Sequence, residues 1–108
     1  MKLHTIILLL ISLVFSSSLY ARGKASTIPS EIFQGCAKCH GQDGQNSAYG
    51  KAEPLMGQEA EDLVESINFF KKSKFGKRGV ILVMSKQVNH LNATQIKELA
   101  VYISKLGR

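Results

Sequence analysis

Cysteine, acidic residues and long apolar runs are all scarce in this chain, and each scarcity excludes a class of protein. Two cysteines among 108 residues allow at most one disulfide, so a framework of several disulfides cannot stabilise the fold. Eight Asp and Glu stand against 14 Lys and Arg, which gives a formal net charge of +6 at pH 7. No basic run is interleaved with stacking aromatic residues, so nucleic acid is not an expected partner. An acidic protein surface or an anionic lipid remains compatible with the charge.

The longest apolar run lies near the N-terminus, in residues 5–15, and is interrupted by Ser12. A membrane span needs about 20 apolar residues, so this run is too short. A basic start precedes it and small residues follow it, which is the order of a secretory signal peptide. We predict a signal peptide at 1–21, cleaved after Ala21, and export to the periplasm. No stable membrane insertion is expected after cleavage, and an uncleaved anchor is the alternative.

The remaining residues, 22–108, are enough for one small domain and too few for a second. Without the N-terminal run the sequence is poor in apolar residues, and a domain of this size is then only marginally stable. Small domains of this kind usually depend on disulfides, a metal or a large cofactor. The composition therefore predicts a cofactor-dependent protein.

Capping residues and periodicity predict two helices in the first part of this domain. The first covers about 29–39, with Pro29 in its first turn and Gly41 just after its end. Glycine, proline and polar residues then dominate 41–56, so an ordered loop without helical periodicity is expected there. The second helix covers about 59–72, where acidic residues at the start and lysines at the end complement the helix dipole.

The last helix has the clearest signature in the sequence. Asn92 followed by Gln95 resembles a capping box, after which apolar residues recur at helical spacing. This stripe consists of Ile96, Leu99, Ala100, Ile103 and Leu106. The apolar run 80–84 is rich in β-branched residues, but a lone strand would have no pairing partner, so we expect a buried extended segment. The predicted fold class is all-α, with about three helices and long loops.

Residues 36–40 read Cys-Ala-Lys-Cys-His, and C-x-x-C-H is the attachment signature of c-type haem. Two thiols three residues apart on a turn of helix can each add to a vinyl group on the same edge of the porphyrin. His40 follows directly, so its imidazole can reach the iron. A covalently attached macrocycle would also supply the core that this apolar-poor sequence lacks.

Other interpretations of the same residues are weaker, although the sequence alone leaves them open. A disulfide between Cys36 and Cys39 would close too small a loop to stabilise the fold much. A thioredoxin-like redox pair would need strands that the sequence does not predict. Zinc could bind Cys36, Cys39, His40 and His90, but structural zinc sites usually use two well-separated ligand pairs.

From about Pro29 to Leu106, the chain resembles the small soluble class I cytochromes c of bacteria, which transfer single electrons with one haem. The resemblance rests on an ordered series of segments, namely 32–41, 54–58, 72–78, Met84 and 91–103. It implies the cytochrome c fold, in which three to four short helices and loops surround one covalently attached haem. The chain departs from the family at Met56, where relatives usually carry a smaller residue.

The axial ligands of the iron follow from the residues and from this resemblance together. His40 is the proximal candidate, and Met84 matches the family's axial methionine because it lies eight residues before the cap of the last helix. Met56 and His90 are the other candidates for the distal position. A thioether ligand gives a higher reduction potential than a second imidazole, because it stabilises ferrous iron.

The resemblance also implies roles for residues around the haem. The carbonyl of Pro54 would accept a hydrogen bond from His40, and Gln58 and Arg78 could contact the haem propionates. In this family the first and last helices cross at a small residue beside aromatic rings. This maps onto Gly35, so we expect Gly35 to permit close approach of the last helix.

We therefore expect a monomeric, exported monohaem protein that carries single electrons and is not itself an enzyme. The expected partners are redox proteins such as a terminal oxidase, a quinol-oxidising complex or a haem peroxidase. A haem enzyme subunit or a gas-binding haem sensor with a labile distal site is the alternative. A basic cluster is expected either to attract an acidic partner or merely to complement a helix dipole. It consists of Lys71, Lys72, Lys74, Lys77 and Arg78.

Overall fold

The computed structural model describes residues 27–73 and 79–108, and within these ranges the protein has four α-helices and no strand. The helices are α1 (Pro29–His40), α2 (Ala60–Lys72), α3 (Val80–Val88) and α4 (Ala93–Ser104). A short 3-10 turn, Ala48–Gly50, lies in the long loop between α1 and α2. The all-α prediction is thus confirmed for the described part of the chain.

The first two helices lie where the sequence predicted them. Pro29 is in the first turn of α1, where a missing N–H costs nothing. Gly41 follows the last residue of α1 with φ of +84°, and its N–H donates to the carbonyl of Ala37. That left-handed backbone favours glycine. In α2 the first turn is acidic and the last turn is basic, as the helix dipole requires.

The prediction of an extended segment at 80–84 is wrong, because these residues form the first turns of α3. β-Branched residues lower helix propensity by only a few tenths of a kcal/mol each, so tertiary packing easily overrides the preference. α3 packs against α2, where Val88 is buried and Met84 lies against the core. Gly79, with φ of +62°, precedes the helix.

The capping box at the start of α4 is confirmed. The side chain of Asn92 accepts a hydrogen bond from the backbone N–H of Gln95 at 2.8 Å, and the Gln95 side chain accepts one from the Asn92 N–H at 2.9 Å. Leu91 and Ile96 flank this box and are both 1% exposed. This is the burial that a hydrophobic staple predicts.

The core forms where α4 packs against both α1 and α2. Phe33 of α1 and Tyr102 of α4 meet at their crossing, with ring centroids 5.6 Å apart. The expected role of Gly35 at this crossing is wrong. Among the described residues, the atom that an added Cβ at Gly35 would meet is Oε1 of Gln87 in α3, at 3.5 Å, and not an atom of α4. Gly35 instead lines a central cavity.

Candidate cofactor site

A cavity of about 460 Å³ lies between the four helices and the loop that contains the 3-10 turn. Its volume falls in the range of about 300–1,000 Å³ that is usual for small-molecule and cofactor sites. Apolar side chains from all parts of the fold line it, including Leu55, Leu63, Ile67, Phe70, Val83, Val88, Leu99 and Ile103. Such a lining suits an occupant with a large apolar face.

The helix α1 brings both cysteines of the C-x-x-C-H motif to the wall of this cavity. Cys36 is half-buried and Cys39 is exposed, and both are free thiols. Burial raises the pKa of the Cys36 thiol to about 11. The thiolate is the reactive form in a redox-active cysteine pair, so this shift disfavours the thioredoxin-like interpretation. Two free thiols one helical turn apart fit attachment to one cofactor edge.

His40, at the C-terminal end of α1, completes the motif on the same wall. Its side chain is buried, and Nδ1 has no hydrogen-bond partner among the described residues. A buried polar atom without a partner is rare in proteins, so the surroundings of this ring are incomplete in the polypeptide alone. Burial also lowers the pKa of His40. The neutral imidazole that this favours is the form that binds a metal.

The structure distinguishes between the three candidates for the distal position. Met84, in α3, lines the cavity together with His40 and packs against the core. Met56 is 43% exposed, and its sulfur lies beside Gly107, where an added Cβ would come within 2.5 Å of it. His90 is exposed, and neither it nor Met56 is among the residues that line the cavity. The structure therefore brings Met84, and neither alternative, to the cavity of His40.

Only some of the residues predicted around the cofactor lie at the cavity. Gln58 lines the cavity, and its Nε2 donates to the carbonyl of Pro54 at 2.8 Å. The expected hydrogen bond from His40 to that carbonyl is not formed, since Nδ1 has no partner within the described ranges. Arg78 lies outside the described residues. Tyr49 also lines the cavity and was not predicted, because a tyrosine in a polar loop carries no signal of such a position.

The zinc interpretation finds no support in the geometry. Within residues 27–73 and 79–108, no three His, Cys, Asp or Glu side chains are arranged to bind a metal ion. His90, which the zinc site would need, lies away from the cysteines' cavity. A single imidazole beside two thiols at an apolar cavity is unsuited to a closed tetrahedral zinc site, and it fits a haem.

An all-helical fold around an apolar cavity, with C-x-x-C-H on its first helix, defines the class of c-type haem proteins. The family model described as cytochrome c matches residues 29–107, so the chain belongs to the cytochrome c family. The chain is also 29% identical over 75 residues to cytochrome c-553 of Nitratidesulfovibrio vulgaris (strain DSM 19637 / Miyazaki F), over 69% of this chain and 72% of that protein. The protein is thus a haem-based electron carrier with covalently bound haem c and its iron.

None of the helices in the described ranges is both long enough and apolar enough to cross a membrane. The longest of them, α2, has 13 residues, whereas a span needs about 20. The predicted signal peptide at 1–21 lies outside the described residues, so its prediction stands on the sequence alone.

Proposed function

We propose that this protein shuttles single electrons between larger redox proteins, with haem c attached to Cys36 and Cys39 and the iron ligated by His40 and Met84. When bound, the haem supplies an iron that gains and loses one electron. The observation that supports this ligand set most directly is the shared cavity of His40 and Met84. The other two distal candidates lie elsewhere.

Each residue of the site has a defined task in such a carrier. Cys36 and Cys39 fix the cofactor to one turn of α1, so the protein keeps it at any dilution. His40 supplies a neutral imidazole, because its burial disfavours the protonated ring. Met84 supplies a thioether, which favours the reduced state relative to a second imidazole. The apolar lining excludes water from the site.

A contact between Gln58 and Pro54 holds a polar group at the cavity. The side chain of Gln58 lines the cavity and donates a hydrogen bond to the carbonyl of Pro54 at 2.8 Å. An amide NH2 group carries two donors, so the same side chain can also donate to a carboxylate. We therefore keep Gln58 as a residue that contacts a haem propionate, while Pro54 holds it in place.

Charge supports an acidic redox partner in the periplasm, such as a terminal oxidase, a quinol-oxidising complex or a haem peroxidase. The full chain has a formal net charge of +6, and loss of the predicted signal peptide with Lys2 leaves +5. Long-range attraction between opposite charges speeds transient association. Within the basic cluster, Lys72 is exposed, whereas the ammonium of Lys71 donates to the carbonyl of Leu91. Lys72 is thus freer for docking than Lys71. Lys74, Lys77 and Arg78 lie outside the described residues.

The purified, exported protein provides the test. A carrier with two strong axial ligands gives a one-electron potentiometric titration, and its reduced form binds carbon monoxide slowly or not at all at neutral pH. A colourless protein would contradict the haem attachment. Rapid binding of carbon monoxide would instead favour a haem enzyme subunit or a gas-binding sensor, because both need an open distal position.

A further inference from the structure

Tyr49 combines three features that bear on the cofactor site. It lines the cofactor cavity, it is 62% exposed, and its φ is +55°. Among the described residues, no other side-chain-bearing residue has a positive φ. A bulky aromatic residue in this left-handed conformation is strained, whereas Gly or Asn adopts it readily.

The turn around Tyr49 is closed by several hydrogen bonds. The N–H of Gly50 donates to the carbonyl of Ser47 at 2.9 Å, and the N–H of Ala52 donates to that of Ala48 at 3.3 Å. The hydroxyl of Ser47 donates to the carbonyl of Ala52 at 2.6 Å. Ala48, next to Tyr49, is 4% exposed. The surrounding structure therefore imposes the strained backbone on Tyr49.

Strained conformations of this kind persist where surrounding structure fixes them, and they cluster at functional sites. A Gly or Asn at this position would form the same turn without strain, so the turn alone does not account for a tyrosine here. The polypeptide leaves Tyr49 largely exposed, on the wall of a cavity that a haem fits.

We propose that the 3-10 turn holds the Tyr49 ring against the bound haem, where it limits the access of water and raises the reduction potential. Water near the cofactor favours the more highly charged oxidised state, so its exclusion favours the reduced state. Tyr49 would therefore shield the cofactor directly. This proposal rests on the proposed electron-carrier function.

The direct test is nuclear magnetic resonance of the reduced, haem-loaded wild-type protein. We expect the Tyr49 ring protons to shift upfield through the porphyrin ring current and to give cross-peaks to porphyrin protons. Phe69 is the internal control, since it is 58% exposed and is not among the residues that line the cavity. Unshifted Tyr49 protons without such cross-peaks would overturn the proposal.

Two variants then test the consequence for the potential. Tyr49→Phe keeps the ring and should keep the midpoint potential of the wild type, whereas Tyr49→Asn keeps the turn, loses the ring and should lower the potential. Equal potentials in all three proteins, or an equal fall in both variants, would refute the role of the ring. If Tyr49→Asn does not fold, the wild-type spectra still decide. A protein without covalent haem would defeat the proposed function itself, which its colour shows before these experiments begin.

Discussion

Replacement of Met84 should change both the iron site and the stability of the protein far more than replacement of Met56. The burial of the two side chains gives the size of the difference in the free energy of unfolding. Met84 is half-buried against the core. Truncation of a buried Met to Ala costs about 2–5 kcal/mol, so Met84→Ala should lower the free energy of unfolding by about 2 kcal/mol through packing alone. Loss of the iron bond adds to this. In a domain of this size, 2 kcal/mol corresponds to a fall in Tm of about 8–16 °C.

Met56→Ala is the matched control, because it deletes the same side chain outside the cavity. Met56 is 43% exposed and lies beside Gly107. Substitutions at such surface positions usually change stability by about 0.5 kcal/mol or less. The midpoint potential should also be unchanged, since the cavity lining is intact.

Three measurements on the haem-loaded variants decide between the methionines. They are guanidinium unfolding, potentiometric titration, and the rate of carbon monoxide binding to the reduced form. Met84→Ala should lose stability, shift to a lower potential and bind carbon monoxide rapidly. The opposite pattern would assign the iron to Met56. If neither variant changed the potential or the ligand binding, neither methionine would be the ligand.

Three further predictions concern attachment, pH and docking. Cys36→Ala and Cys39→Ala should each yield little folded protein, because the core forms around the haem; stable, helical, colourless protein from both would contradict the haem assignment. Burial lowers the pKa of His40 in the folded protein. As the pH falls below about 6.5, the pKa of a histidine in an unfolded chain, the unfolded state therefore binds a proton before the folded state does. The free energy of unfolding should then decrease. The loss approaches about 1.4 kcal/mol per pH unit between the folded and the unfolded pKa, and chemical unfolding at a series of pH values measures it. A flat profile would contradict this reasoning. Lys72→Glu should slow electron transfer to the proposed acidic redox partner and weaken the salt dependence of the rate, whereas Lys97→Glu, an equal change of charge on α4, should have less effect. Equal rates in the two variants would leave net charge, and not Lys72, as the cause.

Local signals in the sequence predicted the parts of the fold that local chemistry determines. The capping box of Asn92 and Gln95 needs no other part of the molecule, and it is present as predicted. The C-x-x-C-H motif likewise contains its own geometry within one turn of α1. The apolar run at 80–84 misled because its β-branched residues suggest a strand, although packing against α2 makes it helical.

The remaining errors concern residues whose role depends on distant neighbours. The sequence placed Gly35 on α1 and predicted that α4 approaches it closely. In the structure Gly35 instead faces Gln87 and lines the cavity. Tyr49 escaped prediction because only the closed turn gives it a positive φ at the cavity. Neither relation can be read from spacing, since the segments involved lie far apart in the sequence or lack periodicity.

The helical core and the cofactor site share residues in this protein, so covalent attachment of the cofactor affects the stability of the whole fold. Five residues of the buried core also line the cavity, namely Leu63, Ile67, Val88, Leu99 and Ile103. Helix packing and haem contact therefore stabilise each other. A dissociable cofactor would stabilise the fold by an amount that falls with its free concentration. Covalent attachment removes that dependence, so the domain keeps its full core at any protein concentration.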